Sequence, residues 1–270
     1  FRKLGYRMHD EGPSSLLVAM RKATDALGED ERHIGRAYLA GFVCHYLLDR
    51  AVHPLVGFWE RGICQAGVLD LDATDSSAVH ADVERDFDEM VLFAKRHETI
   101  ATYRPYAEVL KASDATLAIV DKLYFYTVLW TYGKTLALDT FPRAVKGFRR
   151  MQRVFYSPTG RQLKALRPLE MVVLSENRYS LAQAMAHRPR AEETSPYANR
   201  HHHRWENPFT GKVGTESFWD LYEDALSRVF DAEDCFFEEG FDEAAAEELT
   251  GNLNFSGNPV DPADPSDGTD

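Results

Sequence analysis

In the stretch from Tyr38 to Pro54, YLAGFVCHYLLDRAVHP, the residues His45, Asp49 and His53 recur every four positions within an otherwise almost wholly apolar run. Helical geometry stacks such residues on one face, with a rise of about 6 Å per step. A second ladder of fours, His80, Glu84 and Asp88, runs through VHADVERDFDEMVLFAKRH. Imidazole nitrogen and carboxylate oxygen are donors that zinc accepts, and catalytic zinc sites keep one position for water. Taken singly, each residue has a plainer reading. A core histidine is usually satisfied by a hydrogen bond, His53 suits a helix end that favours a cation, and Glu84 and Asp88 suit a solvated face near Arg85 and Lys95. Two ladders together resist that reading, because uncompensated buried charge is costly. The expectation is that His45, Asp49, His80 and Glu84 converge on one metal centre.

The elements that must position these groups read as helices. The segment FRKLGYRMHDEGP is punctuated by Gly5, Gly12 and Pro13, and a helix is expected to start at Pro13–Ser14, just after His9. It runs through Leu16, Leu17, Met20 and Ala26 to about Gly28. The ladder helix starts around Asp30–Glu31, acids suited to a helix N-terminus, and is expected to end at Pro54. His53, preceding proline, is thereby pushed from helical geometry. Residues 64–77 read as a loop. The second ladder borders an apolar stripe of Val79, Val83, Phe87, Met90 and Ala94.

An aromatic-rich helix follows over 114–138, and its residues 123–132 read as core or, less often, as the lining of a lipid or headgroup pocket. The segment 142–167 is basic without an acid, suited to a phosphate, a membrane surface or this chain's own acidic carboxy-terminal half. Residues 175–215 look irregular and carry His187, the run His201–His203 and Trp205. That histidine run reads as a solvated loop or as a lid. Helical pattern returns from Thr215 to about Thr250. The sequence thus predicts an all-α, multihelical single domain over 1–256 and a disordered Pro/Asp-rich tail over 257–270.

Composition narrows the function classes. A formal charge of −12 disfavours nucleic acid as the main partner. Cys44, Cys64 and Cys235 are odd in number and widely spaced, which suits a reducing compartment, and a cytoplasmic location is expected. No apolar run approaches the ~20 residues of a membrane helix. The chain begins at Phe1 rather than methionine, and the expectation is that an upstream segment is missing.

FVCHYLLDRAVHPLVG resembles the H-x-x-x-D-x-x-x-H-P signature of the bacterial zinc-dependent phospholipase C family, which is related to the fungal single-strand zinc nucleases. HADVERDFD resembles that family's second metal segment, with His80 and Glu84 at its ligand positions, and LGYRMHDEGP resembles the part that carries an earlier histidine, here His9. A weaker similarity extends to WENPFTG. The resemblance implies a multihelical fold, two or three Zn2+ ions held by His9, His45, Asp49, His53, His80 and Glu84, and hydrolysis of a phospholipid or another phosphodiester. Zinc would lower the pKa of water toward ~7. Asp49 is then the candidate to bridge two metals, and Asp88 to orient an imidazole. Members commonly carry a metal-binding aspartate upstream of the first histidine. None precedes His9, so the missing upstream segment is expected to complete the ligand set. Two rival readings stand beside this one: a His-Asp-type helical phosphohydrolase built on His9–Asp10, and a non-catalytic, metal-stabilised helical binding protein.

Overall fold

In the computed structural model of the chain, residues 2–162 and 184–260 are described. Its helices are α1 (Arg2–Asp10), α2 (Pro13–Asp25), α3 (Arg32–Ala66), α4 (Ser76–Arg96), α5 (Pro105–Glu108), α6 (Asp114–Tyr132), α7 (Thr140–Phe155), α8 (Phe218–Ser227), α9 (Val229–Phe237) and α10 (Glu243–Thr250). Two antiparallel two-residue strands, β1 (Trp205–Glu206) and β2 (Val213–Gly214), pair Trp205 with Gly214. The fold is all-α, as the periodicity predicts. The chain divides into two interleaved compact units, one of 1–54, 112–144 and 220–270, the other of 55–111 and 145–219.

The first unit is built around α2. Gly12 takes a left-handed conformation (φ 47), and Pro13 then starts the helix where its missing N–H is of no consequence. Leu16, Leu17, Met20 and Ala23 are almost fully buried with Leu39, Val43, Tyr46 and Leu47 of α3, Leu123 of α6, and Phe236 and Phe255. Ser113 caps α6 by accepting from the Thr116 N–H, and Gly133 ends it in a left-handed turn, earlier than the expected Leu138. At the far end of α10, the Arg50 guanidinium donates to the Leu249 and Thr250 carbonyls at 2.9 Å, and the Tyr46 hydroxyl donates to the Leu253 carbonyl at 2.6 Å. A helix C-terminus leaves carbonyls unpaired, so these donors fix where the chain after α10 must run.

In the second unit, α4 buries Val79, Val83, Phe87 and Met90, and the Phe87 ring lies 4.5 Å from that of Phe218. The same helix buries Arg85, Asp86 and Glu89. Arg188 and Arg190 both pair with Asp86, and Arg188 also reaches Glu89 at 2.9 Å. Burial raises the Asp86 carboxyl's pKa, but hydrogen bonds from Ser195, Arg190 and Arg188 outweigh it and hold it below the usual carboxylate range. This buried network ties the irregular segment around 184–200 to α4.

Four sequence expectations need correction. The segment around His9 is helical, although its apolar pattern is only Leu4 and Met8. The ladder helix does not end at Pro54: α3 continues to Ala66 and also absorbs the first residues of the expected loop at 64–77. His53 is therefore an interior helical residue. Proline removes the hydrogen bond to the carbonyl four residues back, here Arg50. Val52, Leu55 and Val56 are all buried around it, which offsets that loss. Residues 257–260 are ordered rather than part of a tail: Leu253 bridges Pro259, and the Val260 N–H donates to the Asn252 carbonyl. Lys164 and Arg167 of the basic stretch, the irregular residues 175–183 and the tail from 261 lie outside the described residues.

Candidate metal centre

His9, Asp49 and His53 place one potential ligand atom each within 4.8 Å of one another. α1 delivers His9 in its last turn, where a helix dipole favours a cation. α3 delivers His45, Asp49 and His53 on one face, as their spacing predicts. Asp49 Oδ2 is the hub: it lies 3.3 Å from His45 Nε2, 3.7 Å from His9 Nε2 and 3.9 Å from His53 Nδ1.

The surroundings set the imidazole tautomers. Asp10 Oδ1 accepts from His9 Nδ1 at 3.2 Å, which turns His9 Nε2 toward Asp49. The Phe255 carbonyl accepts from His53 Nδ1 at 3.1 Å, so the ring nitrogen that lies 3.9 Å from Asp49 is committed to the backbone and the lone pair of His53 is on Nε2. An imidazole whose second nitrogen is held by a carbonyl or carboxylate is the usual form of a metal-ligating histidine. Burial works against the His9 imidazolium, but hydrogen bonds to Asp49 and Asp10 outweigh it and raise its pKa. A bound cation would take the place of that proton.

Phe255 is central to this arrangement. Its backbone N–H donates to the His9 carbonyl at 3.2 Å, and its ring stacks on His9 at 5.2 Å and lies 5.7 Å from His45. Gly257 makes the path possible. It has φ +71, and a Cβ there would lie 2.6 Å from the Arg50 carbonyl oxygen and 2.8 Å from Pro54 Cγ. The backbone after α10 thus packs directly on the proline turn of α3.

Zinc bonds of about 2.0–2.1 Å place tetrahedral ligand atoms about 3.3 Å apart. The contacts of Asp49 with His45 and with His9 are each of that order, and the tautomer of His9 suits a zinc ion, although His45 does not join the group within 4.8 Å formed by His9, Asp49 and His53. No family model, curated protein or solved structure matches this chain.

The second ladder lies in the second unit and gathers its own partners. His80 sits between two acids, with Nδ1 2.8 Å from Glu60 Oε2 and Nε2 3.3 Å from Glu84 Oε1. Ser76 donates to the other Glu60 oxygen. Burial disfavours the His80 imidazolium, but the hydrogen bonds to Glu60 and Glu84 prevail and push its pKa up to about 10. Asp88, expected to orient a ligand imidazole, meets a different one: it pairs with His187 Nε2 at 3.2 Å and is 72% exposed.

Glu60 and Phe255 are the site residues that the sequence reading misses, while Asp10 enters it only through the His9–Asp10 doublet. Glu60 had a signal, since it follows His53 by seven residues, about two helical turns. Nothing in GNLNFSGNP marks Phe255.

An apolar cavity of about 290 Å³ adjoins the first cluster, with His9 and His45 in its wall and Met8, Phe42, Tyr124, Phe141 and Phe255 among its lining. In the aromatic helix Leu123 is core, and Tyr124 lines the cavity.

Proposed function

We propose that the chain is a zinc-dependent phosphodiester hydrolase of the phospholipase C type, acting on a phospholipid. The observation that carries this reading is the approach of His9 Nε2 and His45 Nε2 to Asp49, with an apolar cavity beside it. Zinc, when bound, supplies the Lewis acidity that activates water and offsets charge on phosphoryl oxygens. Asp49 provides the negative charge that holds the cation, while Asp10 and the Phe255 carbonyl fix the faces of His9 and His53. His80, held between Glu60 and Glu84, forms with them an acid–imidazole–acid cluster in the other unit. The cavity walls exclude water from one side of the cluster and suit an acyl or similarly apolar group.

The test is hydrolysis of phosphatidylcholine vesicles and of a soluble chromogenic phosphodiester by the full chain, with chelator and after zinc is restored. Turnover should vanish with chelator and return with zinc. Ala144 lines the cavity, so Ala144→Phe should lower phospholipid hydrolysis while sparing the soluble diester. Stoichiometric zinc without turnover on either substrate would instead support the metal-stabilised binding protein.

A further inference from the structure

A second cavity, of about 400 Å³, lies in the other unit beneath the turn that carries the histidine run. Its polar lining includes Arg190, Arg200, Arg204, His201 and His203, and it contains no aspartate or glutamate. That is against the trend of a chain whose formal charge is −12. Arg190 is committed to Asp86 and Glu192. The guanidinium groups of Arg200 and Arg204 make no ion pair or hydrogen bond among the described residues.

The turn that presents them is well supported. Asn199 is buried, and its side-chain amide donates to the carbonyls of His203, Thr215 and Glu216 at 2.9, 3.2 and 3.1 Å, while its oxygen accepts from the His203 N–H at 3.0 Å. His202 faces the Thr215 carbonyl, and the flanking His201 and His203 rings have centroids 5.9 Å apart. Phe58 and Trp59 supply an apolar wall. The Trp59 indole N–H is already given to the Tyr197 carbonyl at 2.7 Å, so it adds ring surface rather than a donor.

We propose that this cavity binds the phosphate group of a phosphate monoester, whose organic part lies against Phe58 and Trp59. Planar guanidinium forks match phosphate oxygens in pairs, and two uncommitted forks with imidazole donors nearby suit a doubly charged group. None of these residues belongs to the candidate metal centre, so the site stands whether or not the hydrolase reading does.

The test is calorimetric titration of the full chain with glycerol 3-phosphate and with inorganic phosphate, both as purified and in EDTA, so that a metal–phosphate contact is separated from this site. Vesicles with and without phosphatidic acid form a parallel arm. Arg200→Ala/Arg204→Ala is compared with Lys111→Ala/Arg228→Ala, a control that removes the same charge from exposed positions. In EDTA, glycerol 3-phosphate should bind the wild type, and the cavity variant should weaken it about tenfold or more while the control leaves it unchanged. Vesicle binding that needs the same arginines assigns the phosphate to a lipid headgroup, and its absence assigns it to a soluble ester. No binding to the wild type in EDTA at millimolar ligand, or equal affinity in the two double variants, overturns the proposal.

Discussion

At Asp49 a single carboxylate oxygen faces His45, His9 and His53, so charge can be removed there with little change of shape. Asp49→Asn should lower zinc affinity by more than the roughly 10–100-fold that loss of an outer-shell partner costs, measured by competition with a chromogenic chelator. Phe255→Ala tests the support around that oxygen. Removing a buried ring costs about 3–5 kcal/mol in urea unfolding, and zinc affinity should fall with it because His9 and His45 lose their aromatic contact. At His80 the test is pH. Its folded pKa of about 10 exceeds the ordinary 6.5, so the folded state holds that proton more tightly than the unfolded chain. The resulting stabilisation is complete below 6.5 and is lost as pH rises toward 10. Unfolding of the metal-free protein across that window should show the decline, and His80→Gln should flatten it. An identical slope in the variant would contradict the acid–imidazole–acid arrangement.

The chain after α10 and the proline turn of α3 act together, and Gly257 is where they meet. Gly257→Ala should cost about 2–3 kcal/mol, from a left-handed backbone and from contact with the Arg50 carbonyl. Gly133→Ala is the control: its φ is also positive (62), but nothing lies within 4 Å of an added Cβ. It should cost only about 1 kcal/mol. Much of this architecture is legible in the sequence, because apolar periodicity marks α2, α3, α4 and α6, and spacings of four place Asp49 beside His45 and His53. The continuation of α3 through Pro54 is not legible, since it depends on burial of Val52, Leu55 and Val56 rather than on local preference. The role of Phe255 is hidden for a similar reason. Its position follows from donors on Tyr46 and Arg50, some 200 residues earlier in the chain. Likewise, no local pattern in the sequence pairs Arg188 and Arg190 with Asp86 and Glu89.

Across the whole molecule, no helix among the described residues is long and apolar enough to cross a membrane. The net charge of −12 favours retention of a cation wherever ligands converge. A metal that binds the folded chain and not the unfolded one stabilises it by about 4 kcal/mol at a thousandfold excess over Kd. A chelator should therefore lower the unfolding temperature of the wild type, and zinc should restore it. The most direct measurement is elemental analysis of wild type and Asp49→Asn, purified without added metal, with phosphodiester turnover assayed on the same samples. The account predicts stoichiometric zinc and chelator-sensitive turnover in the wild type, and loss of both in Asp49→Asn. A wild type that neither carries nor takes up zinc, or an Asp49→Asn variant with undiminished zinc and turnover, would contradict it.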